Sequence, residues 1–264
     1  DANSKISLSN NDNNSNNTVF GYTAFNAGSD NGSDYNTIIG HNSAGTGSVS
    51  GATYNVGLGY NSLTDLTSAD YNVALGSNAA SNITTGGSNI AIGQGALFTP
   101  TTAASNVVIG QEAMADIQAG QAITGCVAVG FEAIKGSGST TTGINYSVAV
   151  GTQALNALTT GASNTAVGYQ SMKVHTTGGY NTCLGYGTMQ DTDAGASSLG
   201  TRDCTFIGYN AGGGNWSSDN ACNYNTAVGS LSMDSALDSC GQNTALGYAS
   251  LGGITQGDYN VCIG

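Results

Sequence analysis

The chain has 264 residues, 8% of them charged and 39% hydrophobic, with 41 glycines and one proline. Collagen, which needs abundant proline, is excluded, and so is ordinary disorder, because the hydrophobic residues recur regularly. Four basic residues against 16 acidic ones, a net charge of −12, would repel nucleic acid and anionic membrane alike, and no apolar run reaches the ~18 residues of a bilayer span.

Residues 1–16 read as a polar N-terminal segment. Within it Lys5-Ile6-Ser7-Leu8-Ser9 alternates polar and apolar, which predicts a short strand. From Asn17 to Gly264 one phrase recurs: polar, β-branched, small, aliphatic, glycine, as in Asn164-Thr165-Ala166-Val167-Gly168. The closing glycines are Gly21, Gly40, Gly59, Gly76, Gly93, Gly110, Gly130, Gly151, Gly168, Gly185, Gly208, Gly229, Gly247 and Gly264, so there are 14 copies. Their spacing is 17 residues at its shortest and 23 at its longest; 17 is the basal period and the excess is loop.

Each copy predicts a short strand, since β-branched residues alternate with a period of two before the glycine. A second short element comes after it, with Leu, Met or Ile four residues past the glycine, as at Leu63, Met114 and Ile134. A strand of ~5 residues cannot bury its apolar row alone, whereas stacked copies bury a continuous one. The fold expected is therefore all-β: a parallel β-solenoid of about 14 coils over 17–264, at the ~4.8 Å strand spacing. The residue before the glycine is apolar in every copy and the one before that is usually Ala. This predicts the aliphatic inside the coil and the small residue outside.

Two columns support stacking. Asn stands four residues before the glycine in 11 copies, with Cys126, Ser147 and Cys204 as exceptions. Stacked Asn side chains can hydrogen-bond from coil to coil. All 13 tyrosines fall five residues before the glycine, as Tyr54 and Tyr71 do, or one after it, as Tyr169, Tyr186 and Tyr248 do. They read as a stacking ladder, with an aromatic surface for sugar rings as the sharper alternative.

The phrase resembles the left-handed parallel β-roll repeat of trimeric autotransporter adhesin heads (YadA-like), written there roughly N-S-V-A-I-G-x-x-S. Asn89-Ile90-Ala91-Ile92-Gly93 with Ala96, and Asn164 to Gly168 with Ser171, carry the likeness. Similar repeats occur in phage tail fibres. The resemblance implies an elongated, non-enzymatic, self-associating protein outside the cell, on a cell or virion surface. The period of 17 is longer than in those heads.

Candidate chemistry is sparse. His41 occupies a tyrosine column and His175 a turn. Asp30 and Asp34 in one turn, and Asp191 and Asp193 in another, are weak calcium candidates set against plain surface charge. The long loops 190–203 and 210–223 hold Arg202 and Trp216, the only Arg and Trp, and read as candidate recognition loops. Cys222 and Cys240 both lie seven residues before their glycines, which predicts a disulfide between adjacent coils.

The reading is a structural and adhesive component of an extracellular fibre, its partners further copies (a homotrimer or a head-to-tail filament) or a cell-surface glycan or receptor. In the filament version, residues 5–9 add as a strand to the open last coil of the next subunit; the alternative is a fibre chain that simply continues. A carbohydrate-active enzyme, resting on Asp191, Asp193 and Asp203, is a minor alternative. No catalytic residue, resident metal or cofactor is expected.

Overall fold

The computed structural model describes residues 6–7, 16–25, 32–138, 140–191, 200–216 and 222–264. The chain divides into two compact units, Asp1–Ala128 and Val129–Gly264. The first holds β1 (Ile6–Ser7), β2 (Thr18–Phe20), β3 (Thr37–Ile39), β4 (Val56–Leu58), β5 (Val73–Leu75), β6 (Ile90–Ile92) and β7 (Val107–Ile109). β8 (Val127–Val129) crosses the boundary. The second holds β9 (Val148–Val150), β10 (Thr165–Val167), β11 (Thr182–Leu184), β12 (Thr205–Ile207), β13 (Thr226–Val228), β14 (Thr244–Leu246) and β15 (Val261–Ile263).

Each unit is a parallel β-solenoid. β2 to β7 pair in sequence order in the first unit, and β9 to β15 in the second. The register matches the repeat phrase: Thr165 opposes Thr182 and Val167 opposes Leu184. It holds across the longest spacing, where Thr182 opposes Thr205. Insertions are thus absorbed outside the strands, which a one-residue slip would turn inside out. The predicted N-terminal strand exists as β1, but it pairs antiparallel with β2 of its own chain, Ile6 opposite Phe20. Within the single chain its partners are thus Phe20 and Val19.

The closing glycines have a steric cause. Their φ lies between +117 and +145°, where L side chains are strained. A Cβ on Gly76 would stand 2.7 Å from the carbonyl oxygen of Gly93 in the next coil. Beyond each closing glycine the chain makes a run of turns rather than a second strand. Within that run the second residue after the glycine adopts positive φ, which Asn42, Asn61 and Asn78 tolerate. The fourth does so too, and here the residue is often large: Leu63 at 51°, Met114 at 47°, Ile134 at 47°. Each of these three is fully buried. Burial of such a side chain, ~2 kcal/mol, offsets a backbone strain of similar size.

The strand orientation is the reverse of the sequence expectation. The small middle residue faces in: Ala74, Ala91, Ala149, Ala166 and Ala227 are 0% exposed. The aliphatic before the glycine faces out and is buried in no copy, Leu58 being 47% and Leu184 48% exposed. The interior is narrow, which is the reason. A Cβ on Gly57 would already meet Leu63 Cδ1 at 3.3 Å across the coil. A large residue fits this column only when its opposite number shrinks. Phe206 is fully buried because Gly212 stands where other coils have Leu or Met; a Cβ there would meet the Phe206 ring at 2.7 Å. Invariant hydrophobicity was therefore a poor guide to burial.

Candidate functional site

Inside each coil the asparagine column forms the expected ladder. Asn36 donates both its backbone N–H and its Nδ2 to Asn17 Oδ1, at 2.7 and 3.2 Å. Its Nδ2 also reaches Ala52 O at 2.8 Å. Asn55, Asn72, Asn89 and Asn106 repeat the arrangement, and so does the run Asn225, Asn243, Asn260. Where the column changes residue the bonds lengthen: Asn164 N–H reaches Ser147 Oγ at 3.4 Å, and Asn225 N–H reaches Cys204 Sγ at 3.5 Å. A hydroxyl pair adds to this interior, Ser43 and Ser62 at 2.6 Å.

Outside, the sheet presents two columns of β-branched and aliphatic side chains bordered on both sides by tyrosine columns. Of the 24 exposed large hydrophobic side chains among the described residues, 23 belong to these four columns, and Phe98 is the exception. Asp203 is the one acidic or basic residue in them, the remaining described charges lying elsewhere on the coils. The rings stack at the coil repeat. Tyr35, Tyr54 and Tyr71 stand 4.9 and 5.1 Å apart within 5° of parallel. Tyr169, Tyr186 and Tyr209 are 5.1 and 5.4 Å apart. His41 sits between Tyr22 and Tyr60, 5.4 Å from each, so it is a ladder member. Tyr248 does not stack among the described residues, because Ser230 holds its place in the preceding coil; it is 72% exposed.

The recognition residues separate. Trp216 is 4% exposed and meets Phe206 edge-on with centroids 5.9 Å apart. Its ring packs against Phe206, so it is core rather than contact surface. Arg202 is exposed, 3.8 Å from the Asp203 carboxylate. Of the calcium candidates, Asp34 and Asp191 are half-buried, while Asp30 and Asp193 lie outside the described residues. Among the described residues no three His, Cys, Asp or Glu side chains gather as a metal site. His175 is buried, its Nε2 3.4 Å from Gly178 O.

The cysteines cluster by column. Cys222 and Cys240 are buried and their Sγ atoms lie 3.2 Å apart, as unbonded thiols. The Cys240 S–H donates to Cys222 Sγ, which lowers the Cys222 thiol pKa and raises that of Cys240. Cys204 approaches Cys222 O at 3.2 Å, and burial pushes its thiol up to about 12. Burial likewise holds Cys183 well above the ordinary thiol range.

A half-buried polar ladder escaped the sequence reading. Gln153 Nε2 donates to Glu132 Oε2 at 2.8 Å, Gln170 Nε2 to Gln153 Oε1 at 2.8 Å, and Gln190 Nε2 to Gln170 Oε1 at 3.1 Å. Lys135 closes it at Glu132, 2.9 Å away. The signal was present: Glu132, Gln153 and Gln170 each stand two residues after their glycines. Comparison with protein-family models, with curated proteins and with solved structures returned no match.

Proposed function

We propose that the protein is a structural and adhesive component of an extracellular fibre, a repeat scaffold on a cell or virion surface. One observation carries the reading. In most coils an asparagine spends its bonding capacity inward on the ladder, while the outward columns hold nearly all the exposed aromatic and aliphatic side chains and a single acid, Asp203. A scaffold of this kind keeps its shape without a single central core, since each repeat is held by its neighbours. An apolar strip left in water marks a contact surface. The likeness to YadA-like and tail-fibre repeats supports the same reading, with further copies, a glycan or a receptor as partners. The tyrosine columns suit sugar rings, which stack on aromatic faces.

Immunogold microscopy with antibodies against the chain tests this on the native material. Label along thin surface fibres is the expected result. Label confined to the interior of cells, or to soluble protein with no fibres, overturns it. A glycan array read with the same protein separates adhesion from a purely structural role.

A further inference from the structure

We propose that the outward aromatic and aliphatic strip is the surface on which a second copy of this chain docks. The proposal rests on the fibre reading and names the partner of its exposed face. Three observations carry it: the area in water, the position of the charges, and the chemistry of the middle columns.

The area matches what a stable pair needs. In the second unit Tyr146, Tyr169, Tyr180, Tyr186, Tyr209 and Tyr224 are 44 to 64% exposed. A tyrosine carries 150–250 Å², so these six leave on the order of 600 Å² of ring surface in water. The aliphatic columns between them bring the strip to about the 800 Å² per partner of a standard interface.

The charges are placed for a like-charged partner. A chain of net charge −12 repels its own copies. Yet the strip holds a single acid, Asp203, already facing Arg202, and acids such as Asp34, Asp70 and Glu112 stand one residue outside its columns. An apolar centre with a charged rim is the anatomy of a protein interface. Few charges thus stand between two copies that meet on this strip, and the acids at its rim are the ones that salt would screen.

The column just before the glycine favours protein over glycan. Leu58, Val150 and Leu184 are exposed there and offer no hydrogen bonds, whereas the other middle column carries threonine hydroxyls at Thr165, Thr182, Thr205, Thr226 and Thr244. A sugar needs polar groups placed beside its stacking ring, whereas a second copy brings matching apolar rows at the same coil repeat.

Sedimentation of the 264-residue chain over a range of concentration tests the idea, comparing wild type, the double variant Leu58→Glu/Leu184→Glu, and Phe98→Glu. Both leucines point out of the coil, and circular dichroism melting checks that the variants fold. Tyr186→Ser is a second probe, since Ser77 and Ser230 already occupy that column. Wild type and Phe98→Glu associate, while the double variant and Tyr186→Ser weaken association about tenfold or more, ~1.4 kcal/mol. Association also tightens between about 0.01 and 1 M salt, as screening shortens from about 30 to 3 Å. A wild type that stays monomeric, or a double variant that associates as well as wild type, overturns the proposal. So does a monomeric wild type that cellulose or chitin beads remove from solution, which assigns the strip to a glycan. In all three cases gold label on surface fibres would leave the fibre reading standing.

Discussion

Asn55→Ala is expected to lower stability by several kcal/mol although it removes only a short polar side chain. The Asn55 amide is fully buried and joins three successive coils. Its Nδ2 donates to Asn36 Oδ1 at 3.1 Å, Thr53 O at 3.1 Å and Ala69 O at 2.8 Å. Its Oδ1 accepts from Asn72 N at 2.9 Å and Asn72 Nδ2 at 3.2 Å. Truncation leaves the Asn72 backbone N–H without this acceptor and Ala69 O without this donor, both inside the coil. A buried group stripped of its partner costs ~1–3 kcal/mol, so the pair costs ~2–6 kcal/mol. Chemical denaturation reads the sum. Amide hydrogen exchange reads its location, because a repeat array opens locally and need not melt in two states. Exchange should quicken first around Asn72. Asn55→Ser is the internal comparison: Ser147 holds this column natively and still accepts from Asn164 N–H. Serine should recover roughly half of the loss. If Asn55→Ala melts within ~0.5 kcal/mol of wild type, or if exchange at Asn72 is unchanged, the ladder does not hold the coils together.

Ala166→Asp should abolish soluble expression or melt the second unit, because an unpaired charge inside costs several kcal/mol, whereas Val167→Asp should fold and melt near wild type; circular dichroism distinguishes them, and the opposite order would restore the discarded orientation. A Cys222–Cys240 disulfide should form when the protein is held with a small-molecule disulfide such as oxidised glutathione, a depression of ≈ 400 Å³ beside Cys240 giving access. Across 18 residues it should add ~3 kcal/mol that a reductant removes, and peptide mapping that recovers both thiols free would refute the pairing. Glu132 gives a small acid dependence: hydrogen bonds from Gln153 and then Lys135 lower its pKa below 4.5 in the folded chain. Its stabilising effect is present above that unfolded value and fades as pH falls through the folded one. For a pair near the surface this is below ~1 kcal/mol, and Glu132→Gln should flatten that part of the pH profile of melting.

The repeat made much of the architecture legible before any coordinates. Fourteen glycines at a near-constant period, a β-branched residue three before each, and asparagine one further back are local facts. They carry the parallel stacking, the strand positions and the ladder, because every coil meets only copies of itself. The tyrosine columns were legible for the same reason. Even the exception at Phe206 was written twice, in that residue and in Gly212.

Which way each side chain points was decided by the tertiary structure. A period of two names two faces and does not say which is inside. The coil is so narrow that alanine fills the inner column and the larger aliphatics are left outside, so the most invariant apolar residues are the ones in water. Trp216 shows the converse, a lone aromatic in a long loop whose ring is buried against Phe206. The partner of β1 was likewise a matter of three dimensions. An alternating strand signals an edge to be met, and only the folded chain shows that its own β2 supplies it.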